Sequence, residues 1–100
     1  MHKMIVLYNE PKDHAHFRKH YVETHVPLCA KLPGVKSYGY SFDLKPLGPG
    51  KAPYFCIFEA EFESEAALMN AFQSKEGQAV AADVPNYATG AVTMMHFAVK

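Results

Sequence analysis

The chain opens on a compact apolar run, MIVLY (Met4–Tyr8), rich in strand formers and closed by the turn-like NEPKD. Asp13 then stands where a helix N-cap is wanted. In the segment that follows, Phe17, Tyr21, Leu28 and Leu32 recur at helical spacing and predict one core-facing stripe, ended by LPG. VKSYGYSFDL alternates small and large residues and predicts a second strand. KPLGPGKAP, with three prolines and two glycines, predicts a loop. YFCIFEAEF predicts a third strand. Ser64 is placed to cap a helix over EAALMNAF, and Ser74 a shorter one over KEGQAVAAD. VPNYATG reads as a turn and AVTMMHFAVK as the last strand. No internal repeat interrupts this order.

The order β-α-β-β-α-β predicts an α+β fold of the ferredoxin-like kind: a four-stranded antiparallel sheet with two helices on one face. In the third strand Cys56, Phe58, Ala60 and Phe62 share the side expected to meet the helices, which leaves Phe55, Ile57, Glu59 and Glu61 on the other. The second strand divides Tyr38, Tyr40 and Phe42 from Ser37, Gly39 and Ser41. The last strand is apolar on both sides, with Met94 and His96 against Met95 and Phe97. A sheet face left to water should be polar, so a second subunit or a ligand is expected to cover this one. The covering surface is expected to include Phe55, Ile57 and the second-strand aromatics.

One hundred residues make a single domain, 1–100, and 49% hydrophobic with 20% charged residues is a globular balance. Ten basic residues balance ten acidic ones, so no basic excess attracts nucleic acid or an anionic membrane. Cys29 and Cys56 lack metal-ligand spacing and lie among apolar residues, as buried free thiols of a reducing compartment do. The N-terminal apolar run is too short for a signal peptide and no stretch reaches transmembrane length. A cytoplasmic location is expected.

Chemistry-bearing motifs are few. His16 and His20 are four apart on the first helix, but His16 lies beside Lys19 and Glu23, away from the apolar stripe. A solvated face is expected there, and no metal. Glu59 falls mid-strand on the uncovered side, where a lone carboxylate is costly unless paired or functional. Tyr40, like Tyr38, could donate a phenolic hydrogen bond to a carbonyl ligand or simply fill an interface. Asp83 and Tyr87 flank Pro85, where turn chemistry explains Asp83 as well as catalysis does. Phosphate loop, GxSxG, nicotinamide and flavin signatures are missing, and no cofactor is expected.

His25 is the oddity. It stands two residues before Pro27 at the edge of the apolar stripe, one turn after Tyr21. Pro27 deprives the Glu23 carbonyl of its donor and steers Val26 away from the α region, so the helix should kink here and aim His25 at the sheet. A ring that titrates near neutrality suits a general acid or base; a cap on a broken helix is the alternative. The fold would bring Val6, Tyr8, Tyr21, Met94 and His96 towards it, an apolar pocket with a few polar groups.

HVPLCAKLPGVKSYGY and KEGQAVAADVPNYATGAVT, in that order, resemble the EthD family of the dimeric α/β-barrel superfamily over nearly the whole chain. The resemblance implies a homodimer whose sheets pack face to face into a barrel, and a histidine motif position at His25. It also implies action on a small apolar or aromatic oxygenated compound, by cofactor-independent acid–base or oxidative chemistry in catabolism or secondary metabolism. His25, Glu59 and Tyr40 are then the catalytic candidates. A non-catalytic carrier assisting a neighbouring enzyme is the other reading. Haem-degrading relatives in the superfamily use a pocket tryptophan, and this chain has none.

Overall fold

The computed structural model describes all 100 residues. Strand β1 (His2–Tyr8) leads into α1 (His14–His20), a π-helical turn (Tyr21–His25) and α2 (Val26–Ala30). β2 (Ser37–Ser41) and β3 (Cys56–Phe62) follow, then α3 (Glu65–Gln73), α4 (Lys75–Asp83), a 3₁₀ turn (Val84–Asn86) and β4 (Val92–Ala98). The sheet order is β2-β3-β1-β4, with every neighbouring pair antiparallel. This is the ferredoxin-like arrangement that the hydrophobic pattern predicts.

The three expected caps form. Asp13 accepts from the His16 N–H at 3.0 Å, and Ser64 and Ser74 accept from the Ala67 and Gly77 N–H groups at 3.1 Å. Each satisfies a backbone donor that the first helical turn leaves without a partner. Between α3 and α4 the chain turns so tightly that a Cβ on Gly77 would lie 2.3 Å from the Ala71 carbonyl oxygen. Only glycine fits that corner.

Register decides which side chains meet the helices. Met4, Val6 and Tyr8 of β1 stand opposite Ala60, Phe58 and Cys56 of β3, and this set packs under the helices with Phe17, Tyr21, Leu68 and Val80. Tyr8, Phe17, Tyr21 and Tyr87 form a ring cluster with centroids 4.9–5.6 Å apart. Such pairs add about 0.5–1.5 kcal/mol each beyond burial.

The opposite face differs in two ways from the sequence expectation. Tyr38 and Tyr40 pair with Ala60 and Phe58, which turns both rings to the helix side of an exposed edge strand. Phe55 precedes β3, donates its N–H to the Tyr8 carbonyl and buries its ring against Phe17 and His14. Neither Phe55 nor the second-strand aromatics therefore belong to the uncovered face. Its apolar members are Ile5, Leu7, Ile57, Met95 and Phe97, of which Met95 and Phe97 are 44% and 45% exposed.

The helix before Pro27 also departs from expectation. Val26 keeps α-helical dihedrals (φ −58°, ψ −43°), and its N–H bonds the Tyr21 carbonyl across a wider i→i+5 turn. The missing N–H of Pro27 is absorbed in the first turn of α2, so the helix widens where a break was expected.

Candidate functional site

The π turn has a direct consequence for side chains. On an α-helix, residues five apart point about 140° away from each other. Where bonds run i→i+5, the same residues stand nearly one above the other. His20 and His25 bracket this turn, and both reach the carboxylate of Asp83 at the end of α4. His25 Nδ1 lies 3.0 Å from Oδ2, and His20 Nε2 lies 2.9 Å from Oδ1 and 3.1 Å from Oδ2. The Asn86 side-chain amide donates to Oδ1 at 3.0 Å. A carboxylate with three donors is held in one orientation.

Burial grades this array. Asp83 and His25 are 8% and 2% exposed. The His25 ring stacks on Tyr21 (5.2 Å between centroids) and leans on Tyr87 (4.7 Å). Burial pulls the His25 pKa below its ordinary value, against the opposing hydrogen bond and charge of Asp83, so the ring is neutral at pH 7. Burial alone would raise Asp83. The hydrogen bonds from Asn86, His20 and His25 and the charge of His20 overcome it and hold the carboxyl below the usual range.

A neutral His25 that donates Nδ1–H to Asp83 keeps the Nε2 lone pair free. Nε2 has no hydrogen-bond partner within the chain, and His25 lines a small cavity between the helices and the sheet. Val6, Tyr8, Cys29, Phe58 and Met94 line it too, and nine of its ten lining residues are hydrophobic. Its volume is about 30 Å³, room for one water and no more. Met94, 67% exposed, forms one wall, and an unbranched methionine at a wall is the side chain best able to swing away.

Beside the cavity three phenols meet. Tyr8 and Tyr87 oxygens lie 2.8 Å apart, and the Tyr21 hydroxyl donates to Tyr8 at 3.5 Å. Burial pushes the Tyr8 pKa up to about 12 and drives Tyr21 and Tyr87 upwards as well, so all three remain protonated donors at neutral pH. The Cys29 and Cys56 thiols are likewise pushed up to about 12 by burial.

The structure thus brings His25, Val6, Tyr8 and Met94 together, with Tyr21 packed directly behind His25. It does not bring the other candidates to the same place. Glu59 lies on the opposite face of the sheet, where it pairs with Lys3 at 3.8 Å and is half exposed. Tyr40 stands at the sheet edge with its ring 5.7 Å from Tyr21, outside the cavity. His96 bonds His2 at 2.8 Å, two residues along β4 from Met94. Sequence reasoning leaves Asp83 open between turn chemistry and catalysis, and gives His20 no role beyond the solvated face expected around His16. The signal that could have joined them is a polar residue at either end of an i→i+5 interval just before a proline. No three His, Cys, Asp or Glu side chains converge as metal ligands would, and no helix is long and apolar enough to cross a membrane.

A four-stranded ferredoxin-like sheet here carries a buried histidine–aspartate pair over a small apolar cavity in an α+β domain. The profile of the EthD domain matches residues 9–91, and the chain belongs to the EthD family. It is 39% identical over 95 residues to an uncharacterized 11.0 kDa protein in the thcB-thcC intergenic region of Rhodococcus erythropolis, covering 95% of this chain and 91% of that one. Among solved structures, an ethyl tert-butyl ether d (EthD) family protein from Bacillus halodurans superposes with a TM-score of 0.87 at 28% identity, over 100% of this chain and 99% of the other. A dimeric ferredoxin-like protein from Thermobifida fusca shares the fold with a TM-score of 0.75 at 18% identity, over 98% of this chain and 90% of that one.

Proposed function

We propose that this protein is a homodimeric enzyme in which His25 acts as a general base on a small apolar or aromatic oxygenated molecule. One observation carries the reading: a buried, neutral imidazole whose Nδ1 is fixed by Asp83 faces an apolar cavity with Nε2 unpartnered. A neutral imidazole with a free nitrogen, held in one tautomer by a carboxylate, is what abstraction of a proton from carbon or a phenol requires. The Tyr8 hydroxyl supplies a donor at the same wall for a carbonyl or ether oxygen. A ring enters when Met94 swings outward, since the cavity without that movement holds one water. Dimerisation through Ile5, Leu7, Ile57, Met95 and Phe97 covers the apolar sheet face.

The lining itself favours a second reading. Nine hydrophobic residues around one imidazole also suit a carrier that holds such a molecule without changing it. The two are separated by incubating the protein in deuterated water with a panel of phenols and enolisable aromatic ketones, and measuring deuterium entry into the ligand by mass spectrometry. Catalysis predicts exchange that His25→Gln lowers by about 10²–10⁴-fold while binding persists. Binding without exchange in the parent protein establishes the carrier. Full exchange in His25→Gln removes the histidine from the chemistry.

A further inference from the structure

The His25–Asp83 pair does not end inside the protein. Its carboxylate is shared with His20, whose side chain is 21% exposed where that of His25 is 3%. His20 borders a polar surface cleft of about 280 Å³ with His16, Lys19, Glu23 and Thr24. One carboxylate thus stands between two imidazoles, one wet and one dry. A single negative charge offsets one positive charge well and two poorly. The hydration lost on burial makes that positive charge far cheaper on His20 than on His25.

We infer that His20 carries the positive charge of the His20–Asp83–His25 array and thereby keeps His25 in its neutral, basic form. The inference rests on the reading of His25 as the base, and makes His20 a positioning residue acting through Asp83. When a proton reaches His20 from solvent, the imidazolium donates Nε2–H to Asp83 and repels a second proton from His25. Nε2 of His25 then keeps its lone pair at acidities where an isolated imidazole would lose it. Other charged and titratable groups do not replace this effect. In the cleft, Lys19 and Glu23 carry opposite signs, and the His16 ring lies 5.8 Å from His20 with its Nε2 bonded to the Asn86 carbonyl. Around His25 the remaining titratable neighbours are Tyr8, Tyr21, Tyr87 and Cys29, all uncharged at neutral pH. Burial is the largest cause that lowers the His25 pKa; the hydrogen bond and charge of Asp83 raise it, and the charge of His20 lowers it further.

The test follows the His25 ring by NMR titration of ¹⁵N-histidine-labelled protein without any ligand. His20→Gln keeps an N–H donor for Asp83 but no charge, and should raise the His25 midpoint by roughly one pH unit. His20→Lys restores a cation and should bring the midpoint back towards the parent value. The acid limb of the deuterium-exchange profile should move with the midpoint in each variant. A His25 midpoint unchanged in His20→Gln, or raised as much in His20→Lys, overturns the inference. Because the titration needs no substrate, a shifted midpoint in a protein without turnover upholds the role of His20 and counts only against the proposed enzyme.

Discussion

The Tyr8 hydroxyl lies 2.8 Å from that of Tyr87, joining the first strand to the turn after α4 through two buried phenols. One donates and the other accepts, and Tyr21 donates to Tyr8 from the π turn. Three of the elements around the cavity are thereby tied at their polar tips, within a cluster of packed rings.

These phenols fix the alkaline limit of the fold. In the unfolded chain a tyrosine ionises near 10 and a cysteine near 9.0, whereas in the folded protein Tyr8, Cys29 and Cys56 are pushed up to about 12 and Tyr21 and Tyr87 upwards too. Above those unfolded values the unfolded state has released protons that the native state still holds, so stability falls as pH rises. Tyrosinate absorbance from Tyr8, Tyr21 and Tyr87 should therefore appear together with loss of the far-ultraviolet dichroism. Complete ionisation of all six tyrosines in a protein that retains its dichroism would contradict the buried cluster.

Acid acts through the other array. The folded pKa of His25 is lowered, so between its ordinary 6.5 and the lowered value the unfolded chain binds a proton that the native state refuses, and stability declines as pH falls. Asp83 adds a second loss beneath its ordinary 3.8, as the pH passes through its depressed folded value. Urea unfolding across pH 7 to 3 should show both stages. His25→Gln should remove the first and leave the second. Asp83→Asn should cost roughly 2–3 kcal/mol at pH 7, because a hydrogen-bonded buried carboxylate is lost. A wild-type stability that is flat from pH 7 to 5 would refute the burial of a neutral His25.

The fold was legible because its cues are local. The caps at Asp13, Ser64 and Ser74 and the alternation Cys56–Phe58–Ala60–Phe62 are properties of neighbouring residues, and each appears in the structure. The site was legible in part. Val6, Tyr8, Met94 and His25 follow from topology, which brings β1, β4 and the first helical segment together, and from the strand alternation that turns Val6, Tyr8 and Met94 to the helix side. Asp83 and His20 were not, because a 3.6-residue period places His20 with the solvated residues. The π turn brings it to the same carboxylate as His25. The partner of Glu59 was hidden for a related reason. A strand's alternation gives its face correctly, but not that Lys3 of the neighbouring strand lies within 3.8 Å to neutralise it.

The same sheet face provides the sharpest test of assembly. Ile5, Leu7 and Ile57 stand on neighbouring strands with Met95 and Phe97 beside them, an apolar centre flanked by Lys3, Glu59 and Glu61. Gly39 pairs with Glu59 and leaves open space above its backbone, so a side chain of a second copy can settle there. A stable pairing through this face should bury more than about 1,000 Å² in total. Ile57→Lys places a charge at the centre of the patch, where each subunit would meet the same charge on its twofold mate. Light scattering should then give a dimer for the parent chain and a monomer for Ile57→Lys at micromolar concentration, with the far-ultraviolet dichroism unchanged. The more distant Lys31→Glu, exposed beyond α2, should remain dimeric. A parent chain that is monomeric under these conditions, or an Ile57→Lys variant that dimerises as tightly as the parent, means that another surface, or none, joins the subunits.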